Sequence, residues 1–136
     1  MKVDADGLNF IMENEGVVLH PYQDQTGHWT IGCGHLIRNG EDFGDSITHA
    51  QAMQLLSTDI QEAEDAINDL EWVLTQSQMN ALADFTFNAG PGALKQLASH
   101  GQEDIPNQLP RWNKSKGRVL PVLTRRRALE VEMWNS

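Results

Sequence analysis

The chain has 136 residues, 40% of them hydrophobic, a size and composition that fit one folded domain over residues 1–136 and exclude disorder. No apolar run reaches the length of a transmembrane helix or a signal-peptide core, and a single cysteine, Cys33, excludes a disulfide framework or a Cys-rich zinc site. Nineteen acids against ten bases give a net charge of −9, which argues against nucleic acid as the main partner.

Taken in chain order, residues 6–15 read as a short helix. Asp6 is a suitable N-cap, Leu8, Ile11, Met12 and Glu15 share one face, and Gly16 can close the C-terminus in a left-handed conformation. Residues 17–35 change character. Val17, Val18, Tyr22, Trp29, Thr30 and Ile31 favour strands, and the glycines at 27, 32 and 34 supply turns, so this stretch is the one convincing hairpin region. From Thr48, paired with Gln51 in a capping box, apolar residues recur at helical spacing as far as Ile67. A second box, Thr75 with Gln78, opens a helix that Gly90-Pro91 ends. Residues 92–99 form another short helical stretch, while Pro106, Pro110 and Pro121 interrupt the pattern over 106–114 and 124–134. The fold class is α+β: a small hairpin sheet with a mainly helical body.

Charge is unevenly spread. Residues 1–110 hold seventeen acids and three bases, whereas residues 111–136 hold seven bases and two acids. Internal ion pairing and solvated helix faces explain such a tail, and so does an anion-binding patch; the pattern is compatible with both.

Two carboxylates invite a chemical reading. Glu15 falls at a helix C-terminus on a face with apolar residues, and both the macrodipole and an apolar setting favour a protonated carboxyl, as a general acid requires. It is equally a surface residue at a fraying helix end. Asp24 lies at a hairpin turn, where Asp also serves simply to bond nearby amides. Thr30 is an ordinary β-branched strand residue, or a hydroxyl beside Asp24 able to hold a water. A protonated and an ionised carboxyl across a gap are what glycosidic cleavage needs. The five histidines and Cys33 lack ligand spacing, so no metal and no cofactor is expected.

The run Glu15-Gly-x-x-Leu-x-x-Tyr22-x-Asp24-x-x-Gly27-x-x-Thr30-Ile-Gly-x-Gly-His35 resembles the signature of phage-type lysozymes, the muramidases that include endolysins. The likeness continues through Phe85-Thr86-Phe87-Asn88-Ala89-Gly90, Arg111-Trp112-Asn113-Lys114 and Arg125-Arg126-Arg127-x-x-Glu130, and so covers nearly the whole chain. It implies a lysozyme-like domain that hydrolyses the β-1,4 bond between N-acetylmuramic acid and N-acetylglucosamine in peptidoglycan, with inversion. Glu15 is then the proton donor, Asp24 the carboxylate that orients water, and Thr30 the hydroxyl that helps hold it. Leu36 and Phe87 match positions that contact saccharide, although core packing accounts for them equally well. His35 matches a structural position paired with a carboxylate, and Cys33 a buried apolar one.

Three departures stand out against the resemblance. The chain is short after Gly92, Val122 stands where relatives usually have Gly, and the surface is acidic where many relatives are basic. The expected setting is a monomeric endolysin with peptidoglycan as its partner, without membrane insertion. It accumulates in the host cytoplasm until a holin releases it to the cell wall. The same fold acting on chitin, an inactive saccharide-binding module, or a lyase yielding anhydro sugars are the alternatives.

Overall fold

Helix α1 (Ala5–Glu15) begins one residue earlier than its sequence suggests, because Asp4 caps it in place of Asp6: Asp4 Oδ1 accepts the Gly7 amide at 2.9 Å. Gly7 is required by close approach, since a Cβ there would collide with Val3 and with the amide side chain of Asn80. The computed structural model describes residues 1–136, in two compact units: Leu8–Gln61, and Met1–Gly7 with Glu62–Ser136.

In the first of these units the remainder of α1 leads into three antiparallel strands, β1 (Val18–Gln23), β2 (Trp29–Gly32) and β3 (His35–Leu36), ordered β1-β2-β3. Tyr22 pairs with Thr30, and Thr30 with Leu36; β1 is irregular between Val18 and Tyr22, where Pro21 has no N–H to give the ladder. Helix α2 (His49–Asp59) carries the expected Thr48–Gln51 capping box. It packs on β2 and β3, and Ala52 and Leu56 are buried along with Ile11, Met12 and Ile31. The helical run does not continue unbroken to Ile67. Ile60 caps α2 through its N–H to Leu56 O, and a new helix, α3 (Gln61–Asn68), starts after it. Buried apolar spacing persists across that break, so periodicity alone cannot reveal it.

In the other unit, α4 (Gln76–Ala89) is the central element, with every residue from Met79 to Thr86 buried. Its Thr75–Gln78 capping box forms as expected, and Gly90, at φ 95°, ends it and hands over to α5 (Pro91–Ala98). Short helical turns over 102–111 include α6 (Ile105–Gln108). A second hairpin then follows, β4 (Lys114–Ser115) with β5 (Arg118–Val119), so the hairpin at 17–35 is not alone. Lys116 and Gly117 both have positive φ (52° and 77°), the conformation of a tight two-residue turn. Its strands are only two residues long, too short for an alternation to register. Finally α7 (Pro121–Trp134) packs on α4, and Pro121 opens this helix instead of interrupting it, because the first helical residue needs no N–H donor.

The basic tail is partly consumed here. Arg126 makes a two-pronged pair with Asp84 (2.9 Å for each bond), and Arg127 lies 2.8 Å from Glu130 and donates to Asn88 at 2.6 Å. Arg127 also stacks over the Phe85 ring at 4.9 Å, and Phe85 meets Trp112 edge-on at 5.5 Å. Internal contacts therefore account for Arg126 and Arg127, while Arg111, Lys114, Lys116, Arg118 and Arg125 are exposed. No helix of the chain is long and apolar enough to cross a membrane.

Candidate functional site

Glu15 is the last residue of α1 and is exposed, whereas Leu8, Ile11 and Met12 earlier on the same face are buried. The apolar setting expected for its carboxyl thus stops one turn short, because burial ends before the helix does. Gly16 follows at φ 80°, with its N–H on Met12 O at 2.8 Å. The buried Cys33 thiol donates to the Gly16 carbonyl at 3.3 Å. Since Cys33 directly follows β2, this bond ties the end of the helix that bears Glu15 to the strand that bears Thr30.

Asp24 begins the loop between β1 and β2. Its Oδ1 accepts three hydrogen bonds: the Thr26 amide at 2.9 Å, the Thr26 hydroxyl at 2.7 Å and the His28 amide at 2.9 Å. The Thr26 hydroxyl first, and then the His28 amide, hold the Asp24 carboxyl below its ordinary value of 3.8. Gly27, at φ 85°, lets the chain turn inside this loop.

Thr30 is 3% exposed, and its hydroxyl donates to the His28 carbonyl at 2.9 Å. With its proton so committed, Thr30 Oγ1 can only accept from a neighbouring water. Leu36, the cross-strand partner of Thr30, is 51% exposed, so core packing does not explain it. Phe87 sits on α4, in the other unit, and is half-buried. Glu15, Asp24, Thr30 and Leu36 are thus all carried by the unit Leu8–Gln61.

His35 is clamped rather than free. Nδ1 lies 2.7 Å from Asp59 Oδ2, Nε2 lies 3.1 Å from both Glu41 oxygens, and the ring meets Phe43 edge-on. Burial alone would lower its pKa, but the bonds to Asp59 and Glu41 outweigh burial and raise it above 6.5. A histidine held at both nitrogens by carboxylates is a staple between β3, α2 and the 38–41 loop. Two contributors to the Asp24 environment were not legible as such in the sequence, Thr26 and His28. The only signal was a hydroxyl two residues after a turn Asp, a spacing that commonly closes on the Asp side chain.

A carboxylate held by polar groups, in the same unit as a helix that ends in a second carboxylate, suits proton transfer and water activation. A family profile described as "Phage lysozyme" matches residues 12–130. The chain belongs to the phage lysozyme family. The matched span includes Glu15, Asp24, Thr30, Leu36 and Phe87. Among its phage lysozyme relatives, the endolysin of Bacillus phage PZA is 35% identical over 147 residues, covering 100% of this chain and 56% of the relative. The chain thus spans about half the length of that protein. The endolysin of Salmonella phage P22 is 33% identical, covering 100% of this chain and 99% of the relative. A crystal structure of a P22 lysozyme mutant superposes with a TM-score of 0.87 at 29% identity, covering 100% of this chain and 99% of that one. The α+β phage lysozyme fold is therefore the fold of this chain.

Proposed function

We propose that this chain is a peptidoglycan hydrolase: an endolysin that cleaves the β-1,4 bond between N-acetylmuramic acid and N-acetylglucosamine during host lysis. One observation carries the reading. Within a Glu-eight-Asp-five-Thr spacing, Asp24 and Thr30 are joined through His28, which donates its amide to Asp24 and accepts the Thr30 hydroxyl on its carbonyl. Glu15 donates its proton to the leaving sugar oxygen. Asp24, ionised, takes a proton from a water held also by Thr30, and that water attacks the anomeric carbon as the bond to the leaving oxygen breaks. The single displacement inverts the anomeric centre, which requires room for a water between carboxyl groups about 6.5–9.5 Å apart. The exposed Leu36 offers an apolar surface to a sugar ring, and Phe87 serves as a second saccharide contact. Residues 1–136 act together as one muramidase domain, a monomer without metal or cofactor. The protein collects in the host cytoplasm and reaches the wall once a holin opens the membrane.

The test is turbidity loss of outer-membrane-permeabilised Gram-negative cells, comparing wild type with Glu15→Gln across ionic strength. Clearing by wild type and none by the variant supports a Glu15-dependent hydrolase. Reducing-end analysis of the released fragments then names the bond, and anhydro products would replace hydrolysis by a lyase reaction. A folded wild type that binds peptidoglycan but never clears cells would sink the enzymatic reading in favour of a saccharide-binding module.

A further inference from the structure

The loop between Asp24 and His28 contains more hydrogen bonding than a hairpin connection needs. Three donors converge on Asp24 Oδ1 and none of them on Oδ2. A carboxylate oxygen only accepts, so the single proton of the Thr26 hydroxyl points at Asp24. His28 Nδ1 stands 2.5 Å from that same hydroxyl oxygen. With the hydroxyl proton already used, the ring must be the donor, which places a proton on Nδ1. His28 is also the one ionisable side chain paired with Asp24, 3.8 Å from Oδ1.

We propose that Thr26 and His28 are positioning residues for Asp24. The chain from His28 Nδ1–H to Thr26 Oγ1–H to Asp24 Oδ1 pins one carboxylate oxygen, so that Oδ2 takes the proton of the attacking water. The assignment rests on the muramidase reading above and deepens it. A general base must be held to within about 0.5 Å and 10–20° of its working geometry. A carboxylate alone at an exposed loop rotates about its terminal torsion, which is broad and roughly two-fold. Bonds to one oxygen remove that freedom and make the other oxygen the more basic one. The Thr26 hydroxyl is also the largest influence keeping Asp24 ionised. His28 contributes twice over, because its amide binds Asp24 and its carbonyl orients Thr30.

The test uses the full chain on permeabilised cells and purified peptidoglycan, with Thr26→Val, Thr26→Ser, His28→Phe and Asp24→Asn compared with wild type. Thr26→Val keeps the side-chain shape and removes the hydroxyl. Its kcat is expected to fall roughly 10–100-fold, within the loss that misplacing a reacting group by about 1 Å can cause. KM should hardly move, and the acid limb of the rate profile should shift to higher pH. Thr26→Ser should restore both, and His28→Phe should give a smaller loss in the same direction. A purely structural role for the loop would lower thermal stability without moving the acid limb. A second measurement, on the wild type alone, is the ring tautomer of His28 by nitrogen NMR. A proton on Nδ1 is expected, and a neutral ring protonated only on Nε2 overturns the chain of bonds. Wild-type kcat and acid limb in Thr26→Val, with Asp24→Asn inactive, overturn the positioning role and leave the muramidase reading standing. An Asp24→Asn protein as active as wild type overturns that reading itself.

Discussion

Asp24 and Thr30 share one acceptor: the His28 carbonyl takes the Asp24 backbone N–H and the Thr30 hydroxyl, each at 2.9 Å. Two residues six apart in sequence are thereby held in fixed relation by a third that no spacing rule singles out. The arrangement places a carboxylate and a hydroxyl oxygen on one loop-and-strand junction with little freedom left to either.

Leu36 provides a direct test of saccharide contact. At 51% exposure its side chain contributes little to folding, so Leu36→Ser should leave the melting temperature nearly unchanged. KM for peptidoglycan fragments should rise several-fold with kcat retained, as expected when binding common to ground and transition states is removed. A fall in kcat at constant KM would reject the contact.

His35 should couple stability to pH. Its pKa is raised in the folded state, so its contribution is complete below about 6.5 and is lost as pH rises through the higher folded value. The bond from the Arg38 amide first, and then His35, lower Glu41, so that carboxylate's contribution is lost in the opposite direction, as pH falls through its depressed value. The melting temperature of wild type relative to His35→Gln should therefore fall as pH rises above 6.5. A difference that stays constant with pH would assign the decline to other groups.

A second pH effect belongs to Glu130, buried beside Asp84 between Arg126 and Arg127. Burial and the Asp84 carboxylate favour its protonated form, while Arg127 and Arg126 favour the ionised one; the first pair prevails and the carboxyl is pushed up to about 10. The folded state then holds a proton that the unfolded chain releases above 4.5, so stability declines as pH rises from there toward the folded value. Glu130→Gln keeps the shape without the proton. Its melting temperature relative to wild type should climb steadily from pH 6 to pH 9, and a constant difference would count against a protonated Glu130.

The capping boxes set helix ends independently of the site. Thr75→Ala should cost about 1 kcal/mol. Urea unfolding should show a lower midpoint at unchanged slope, and an unaltered midpoint would deny the cap any energetic role.

Acidity should slow encounter with an anionic wall only while charges are unscreened. Replacing the exposed Asp45, Glu62 and Asp65 by Lys should speed clearing at low salt and make no difference at high salt. No gain at low salt would remove electrostatics from the account of wall binding.

Sequence alone determined what depends on neighbours along the chain. The Thr48–Gln51 and Thr75–Gln78 boxes, the left-handed Gly16 and the first hairpin all arise from contacts within a few residues, which composition and spacing expose. The Glu15, Asp24 and Thr30 spacing was legible for the same reason, through its resemblance to a known signature. Tertiary structure alone decided the rest. Asp4 replaces Asp6 as the cap of α1, and Glu15 emerges into solvent where its helical face predicted apolar company. Arg126 finds Asp84 across 42 positions, and His35 finds Asp59 across 24. Such pairings are set by which side chains are left unsatisfied when distant elements pack, and no local pattern records that. The Thr26–His28 chain lies between the two cases. Its residues are close in sequence, but a hydroxyl proton has only one direction to point, and only the assembled loop says which.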